Sequence, residues 1–435
     1  MSVENIAVDN AQLKVGDGKP VINRWFVAIA GVVMQLILGT VYAWSVFKKP
    51  FMAAHGWSGE QVGMAFTILI LVLGIAAAFG GKFVDKAGAR KVATLAAILF
   101  GIGTMLTGFA DRIGSLKMLY LGYGIIAGIG NGLGYVTPIA VLVRWFPDKR
   151  GLITGLAVMG FGFGAAIMGQ VAPLLIPKTA MVDGVLTITD KGLGLDNTFY
   201  IFGIVFLVLL FVAAQFLNNP PAGWAPPVKV EQKKTPVSVE SVDLEQAIRM
   251  PQFYILWLLL FINVTAGIAL ISNLSPMAQD VCKIDAIKAG TVIFITSLFN
   301  GLGRIFWSSM SDKLGRKVVF MLILGTQVPL FFILPAVSNV IMFTIIACYI
   351  LACYGGGFAT MPAYTADTFG SKNMGKIYGK ILLAWAAAGV VGPILMEKIK
   401  ASSGSFKMAV YVAAVMLIVG FIINIFYRKP AMKSV

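Results

Sequence analysis

Gly81-Lys82-Phe83-Val84-Asp85-Lys86-Ala87-Gly88-Ala89-Arg90-Lys91 joins two long apolar runs, and a shorter echo, Ser311-Asp312-Lys313-Leu314-Gly315-Arg316-Lys317, joins two more. Asp312 follows Asp85 by 227 positions, and the same offset carries Trp25, which opens the first apolar run, to Gln252, which opens the seventh. Gly151-xxx-Gly155 recurs as Gly375-xxx-Gly379 at an offset of 224. A chain that repeats near half its length, with six apolar runs in each half, reads as two copies of one six-helix unit.

Composition agrees. Of 435 residues, 58% are hydrophobic and only 12% charged, about half the charge of an ordinary soluble domain. This predicts an all-α polytopic membrane protein with twelve transmembrane helices in two pseudo-symmetric bundles. The runs fall near 25–47, 62–79, 92–109, 118–143, 151–177, 198–217, 252–273, 286–310, 318–335, 341–367, 375–396 and 408–427, each near the ~20 residues that cross a bilayer. The domains expected are a tail at 1–24, a bundle at 25–218, a linker at 219–251, a second bundle at 252–427 and a tail at 428–435. Pro220-Pro221 and Pro226-Pro227 stop the sixth run. Within the linker, 242–249 suits a short helix lying on the membrane surface.

The formal charge of +16 does not imply a nucleic-acid partner, because the basic residues segregate. With cytoplasmic termini, about 22 of the 35 Lys and Arg fall on the inner side and about 11 outside, with Arg304 and Lys380 inside spans, as the positive-inside rule requires. A multi-pass plasma-membrane protein with both termini cytoplasmic, whose surroundings are lipid and which works as a monomer, is the expectation. Three cysteines and one isolated histidine, His55, make no disulfide framework and no metal site. Nucleophile–base pairs and nucleotide loops are missing too, so neither an enzyme nor a cofactor is expected.

Arg304 lies within the eighth apolar run, flanked by Gly301 and Gly303. An arginine at a helix centre costs about 2.5 to 3.5 kcal/mol on insertion scales, so it is expected to face a cavity and meet an anion. Its guanidinium can fork around a carboxylate, which lysine cannot copy. The alternative is snorkelling toward the Asp312 end of the helix, about 12 Å away. Asn300, one turn earlier, shares the face of Arg304. Gln35 and Tyr42 share a face of the first run, Asn131 and Tyr135 stand one turn apart in the fourth, and these groups are expected to help complete the substrate pocket. All 19 acidic residues fall in tails, loops or span ends, so no buried carboxylate is expected to carry a proton. Gly124, Gly128, Gly132, Gly130 and Gly134 in the fourth run read as close helix packing, and Gly392-Pro393 in the eleventh as a bend.

The paired loop motifs and two six-helix halves resemble the major facilitator superfamily over essentially the whole chain. Arg144-Trp145-Phe146-Pro147-Asp148-Lys149-Arg150-Gly151-Leu152, Tyr42-Ala43-Trp44-Ser45 and Pro220 to Trp224 are similar to the oxalate/formate antiporter family, itself close to the monocarboxylate transporters. The resemblance implies that Asp85, Arg90, Lys91, Asp312 and Arg316 are gating residues, that Arg304 binds the substrate anion, and that Tyr135, Phe161, Tyr354 and Phe358 are pocket aromatics. Oxalate carriers of that family place a second cation in the eleventh helix, where this chain has Trp385; Lys380 is five residues away on another face. A single cation favours a monoanion, since a second unpaired carboxylate costs several kcal/mol to bury. The expectation is a secondary transporter of small organic anions of the lactate, pyruvate and formate class, working by alternating access through exchange, facilitated diffusion, or symport in which substrate and Arg304 manage the charge without a protein acid. The alternatives are an oxalate:formate-type antiporter and, in a different class, a non-transporting membrane anion sensor.

Overall fold

The structure is a computed structural model that describes residues 22–146, 150–221, 224, 242–370 and 373–430; the side chains of Asp85 and of residues 151, 152, 154 and 375 are also outside that description, as is that of Arg150. Among the described residues, twelve helices are long and apolar enough to cross a membrane: Arg24–Val46, Gly59–Val84, Ala89–Arg112, Leu116–Trp145, Gly155–Leu175 and Leu195–Phe216 before the linker, and Pro251–Ile271, Ala286–Leu314, Arg316–Ala336, Val340–Phe369, Lys376–Ser403 and Phe406–Phe426 after it. They are called spans 1 to 12. Span 7 begins and span 12 ends on one side of the molecule, where Gln252 Nε2 donates to the Arg428 carbonyl; this is the terminal face. The opposite face carries a two-stranded antiparallel hairpin, β1 (Lys178–Val182) and β2 (Val185–Asp190), in the loop before span 6.

The internal repeat is written into the backbone. Gly88 closes span 2 at φ 88°, ψ 145°, and Gly315, 227 positions on, closes span 8 at φ 86°, ψ 151°. Side chains disfavour that region, so glycine is what allows each chain reversal. Span starts are capped as the sequence allows: Ser58 and Gln61 form a capping box at span 2, and Asn339 accepts from the backbone at span 10, satisfying amides a helix start leaves free.

Helices approach closely through glycine. A Cβ on Gly124 or Gly128 would meet Ile68 or Val72 of span 2, one on Gly132 would meet the Leu73 carbonyl of span 2, and one on Gly130 would meet span 3 at Phe100. Small residues give backbones the van der Waals contact that lipid cannot drive hydrophobically.

Several spans depart from the sequence expectation. Span 1 tightens into a 3₁₀ segment, Gly39–Val46, and span 4 contains a π-helical stretch, Tyr120–Ala127; such irregularities mark places where side chains are re-aimed. Span 11 is interrupted at Leu382, between helices Met374–Ile381 and Leu383–Ser403, and Pro393 lies inside the second of these. Span 11 also continues seven residues beyond the expected end at 396, to Ser403. In the linker, helix Leu244–Arg249 is present and the Val242 amide donates to the Phe369 carbonyl at the end of span 10; residues 225–241 lie outside the described chain.

Candidate functional site

The centre of the molecule is a closed circuit of six aromatic rings, three from each half. Tyr42 of span 1 meets Phe161 of span 5 with centroids 5.1 Å apart, Phe161 meets Tyr135 of span 4 at 5.1 Å, and Tyr135 meets Trp385 of span 11 at 5.2 Å. Trp385 meets Phe358 of span 10 at 5.1 Å, Phe358 meets Tyr354 at 5.3 Å, and Tyr354 returns to Tyr42 at 6.0 Å. All six contacts are edge-to-face, the geometry the ring quadrupoles favour. One hydrogen bond spans the halves within the circuit, between the Tyr42 and Tyr354 hydroxyls at 2.7 Å.

Local sequence explains how the rings converge. Gly39 opens the 3₁₀ segment, and a Cβ there would strike the Phe161 backbone; Gly164 presses back against Gly39. Span 1 and span 5 therefore touch backbone to backbone, which brings Tyr42 to Phe161. Gln35 Nε2 donates to the Tyr135 carbonyl at 2.9 Å and Asn131 Nδ2 to the Leu38 carbonyl at 2.8 Å, tying span 4 to span 1. Gln35 of the first run and Asn131 of the fourth thus hold Tyr135 in place.

Arg304 enters this cage from span 8. It is 2% exposed, its guanidinium carbon lies 5.5 Å from the Phe358 ring centroid, and its Nε and Nη1 are sealed from solvent without a hydrogen-bond partner. The hydroxyls of Tyr42, Tyr135 and Tyr354 lie within reach of its charge, as does that of Tyr378 on span 11, which the sequence had not singled out. Glycines surround the arginine on both sides. A Cβ at Gly162 of span 5 would stand 3.2 Å from Nε and 2.9 Å from the Gly301 Cα, and one at Gly355 of span 10 would stand 3.1 Å from the Arg304 Cγ. Asn300 sits against the same Gly355, with its Oδ1 buried and unpaired. The arginine is buried among rings rather than reaching for the terminal face, so the snorkelling alternative does not describe this structure.

The expected absence of a buried carboxylate is corrected here. Glu397, near the hairpin-face end of span 11, is 6% exposed and accepts from the Lys48 ammonium, itself 2% exposed just after span 1. Lys48 also donates to Asn273 Oδ1 at 2.6 Å. Lys49 pairs with Asp280 at 2.7 Å, Lys400 reaches the same carboxylate at 3.4 Å, and the Ser275 amide donates to Ser45 Oγ at 3.3 Å. All but the Lys400–Asp280 contact join the two halves on the hairpin side of the cage. Burial holds Lys48 below the usual lysine range, with Glu397 opposing that shift. Glu397 escaped notice because span 11 continues past the first charged residue, and its partner is 349 positions away.

On the terminal face, Asp312 pairs with Arg316 of its own loop at 2.6 Å, and Arg316 reaches Asp367 at the end of span 10 at 3.1 Å and also bonds Ser311. Arg90 donates to Gln215 Oε1 of span 6 at 2.8 and 2.6 Å, and Lys91 is exposed. The Asp85 side chain lies outside the described residues. Lys380 stands 4.7 Å over the Phe79 ring of span 2, toward the terminal face and away from the rings that enclose Arg304. His55, isolated in sequence, bonds Asp111 at 2.7 Å, and no cluster with metal-ligand character occurs among the described residues.

The sequence profile of the Major Facilitator Superfamily matches residues 25–393 and, in a second register, 256–434. The chain belongs to the major facilitator superfamily. This superfamily member is 28% identical to an uncharacterized MFS-type transporter of Escherichia coli K12, YhjX, over 84% of this chain and 86% of that one. It is also 28% identical to the oxalate:formate antiporter of Oxalobacter formigenes, over 95% and 94% of the two chains. Among solved structures, a bacterial homolog of the human lysosomal transporter Spinster, inward-facing and unoccupied, superposes with a TM-score of 0.71 at 15% identity, covering 92% of this chain and 96% of that one. The protein is therefore a multi-pass membrane transporter with the major facilitator fold, and not an enzyme.

Proposed function

We propose that the protein carries small monocarboxylates of the lactate, pyruvate and formate class, with Arg304 as the group that holds the carboxylate. The observation that carries this reading is the state of Arg304: a buried cation with no carboxylate beside it among the described residues, its Nε and Nη1 unpaired and its surroundings neutral rings and tyrosine hydroxyls. A buried charge without a partner is costly, and a carboxylate forked on the guanidinium removes that cost with two charge-assisted bonds.

The charge count favours a monoanion. Lys48 is occupied by Glu397 and Asn273, and Lys380 stacks on Phe79, so neither offers a second positive charge to the cage. A dianion would bring one carboxylate too many. The likeness to an oxalate:formate antiporter supports a second reading, exchange of a dicarboxylate against a monocarboxylate, which the neutral Trp385 disfavours.

The terminal face is proposed to be cytoplasmic because it carries the larger share of Lys and Arg. Asp85, Arg90, Lys91, Asp312 and Arg316 are proposed to govern opening on that face, and the Lys48–Glu397 pair to close the other during alternating access. Glu397 lies outside the cage with its charge matched, so it does not by itself imply proton coupling, and exchange remains the proposed mode. Transport is assigned to the monomer, since the cage is complete within one chain.

Uptake into proteoliposomes tests the reading. Lactate, pyruvate or formate is expected to exchange, with oxalate at least tenfold weaker, and Arg304→Lys to lose tenfold or more in kcat/KM because lysine cannot fork. Equal uptake by Arg304→Lys would overturn it. Strong uptake driven by an inward proton gradient with no counter-anion inside would replace exchange with symport.

A further inference from the structure

Arg304 is not the only donor in the cage without an acceptor. The indole Nε1–H of Trp385 is buried and unpaired as well, and Trp385 is completely enclosed, with Tyr135, Phe161 and Phe358 as its ring neighbours. Phe358 is also the ring against which the Arg304 guanidinium lies, at 5.5 Å. The two sets of unpaired N–H groups thus belong to residues that both contact the Phe358 ring. Buried polar groups are paired in the great majority of cases, and a buried tryptophan N–H usually finds an acceptor. An unpaired one inside a ligand cage marks a place where the ligand supplies the missing atom.

The chemistry of that atom is constrained. An indole N–H can only donate, and it is neutral. It is satisfied by a carbonyl or hydroxyl oxygen, and it cannot balance a second full negative charge as an ammonium does. On the reading of the cage as a monocarboxylate site, we infer that Trp385 is a specificity residue. Its Nε1–H donates to an oxygen on the carbon next to the substrate carboxylate, so the preferred substrates are 2-oxo and 2-hydroxy monocarboxylates rather than formate or unsubstituted acids. An acid without that oxygen leaves the N–H unpaired in the occupied site, and sites built to hydrogen-bond a substrate group reject analogues that lack it.

Three acids with the same three-carbon skeleton separate the effects of size from those of the second oxygen. Isothermal titration of the purified protein with pyruvate, lactate and propionate is expected to give affinities for the first two at least about tenfold above the third. Trp385→Phe, which keeps an apolar ring and removes the N–H, brings the three within about twofold by weakening pyruvate and lactate while leaving propionate little changed. Trp385→His, which retains a ring N–H, keeps part of the preference. Equal affinities in the parent protein, or a preference that survives in Trp385→Phe, overturn the inference. If Trp385→Phe cannot be recovered folded, the parent's ratio and Trp385→His decide it. Propionate binding as tightly as pyruvate removes only the role of Trp385; failure of all three acids to bind while oxalate does bind removes the monocarboxylate reading with it.

Discussion

Two buried cations, Lys48 and Arg304, are treated in opposite ways. Lys48 is matched: Glu397 and Asn273 both reach it from the other half of the molecule. Arg304 has no counter-ion among the described residues, and its Nε and Nη1 are unpaired. The difference teaches how to tell a structural charge from a functional one. A charge buried with its counter-ion is already at its resting arrangement and holds parts of the molecule together. One buried without a counter-ion carries a desolvation penalty that only an external anion relieves.

The contrast is sharpened most by breaking the matched pair. Glu397→Gln strands the Lys48 ammonium in a closed site, which is expected to cost about 3 to 5 kcal/mol and to show as a large fall in the thermal unfolding temperature in detergent. The double variant Lys48→Met with Glu397→Met, which removes both charges, should recover most of that fall. Failure to recover would mean that the pair does more than neutralise itself.

Crowding the unmatched cation comes next in size. Gly162→Ala adds a methyl 3.2 Å from Arg304 Nε and 2.9 Å from the Gly301 Cα, so the guanidinium or span 8 has to shift. Since small displacements of a positioning group carry large penalties, about a tenfold rise in KM for the monocarboxylate is expected, read from initial rates of exchange. The smallest effect belongs to the cation outside the cage. Lys380→Ala removes a contact with Phe79 worth about 0.5 to 1 kcal/mol at a partly exposed site, and KM should stay within twofold. A loss of transport there would restore a two-cation site.

Much of this arrangement is legible in the chain. The 227-residue repeat that relates Asp85 to Asp312 reappears as matching backbone angles at Gly88 and Gly315, because a glycine-dependent turn is a local property that sequence states directly. Arg304 announces itself by hydropathy alone. The aromatic residues could be picked individually from motif neighbours, and the structure gathers Tyr42, Tyr135, Phe161, Tyr354, Phe358 and Trp385 into one circuit; what no single helix reveals is that the circuit closes.

The Lys48–Glu397 pair was hidden for a related reason. Hydropathy judges each span by itself, and Glu397 looked like the polar end of span 11, whereas its environment is set by a lysine on the other half. Gln35 and Asn131 stood out as polar residues in apolar helices, but their amide N–H groups bond backbone carbonyls across spans 1 and 4, a choice of partner that depends on helix placement. The break at Leu382 is not announced by any residue type there, and Gly392, in the helix that follows, lies against the span 7 backbone at Thr265.

The most direct test of the account is the thermal stability of Arg304→Gln beside the parent, each with and without saturating lactate or pyruvate. An unmatched buried charge destabilises the empty protein, so its removal should leave the unfolding temperature unchanged or raised, the opposite sign to Glu397→Gln. Ligand at about 100 times Kd should stabilise the parent by about 2.7 kcal/mol and leave Arg304→Gln unaffected. A variant that is less stable than the parent when empty, and that is still stabilised by the monocarboxylate, would contradict the claim that Arg304 waits for the substrate's charge.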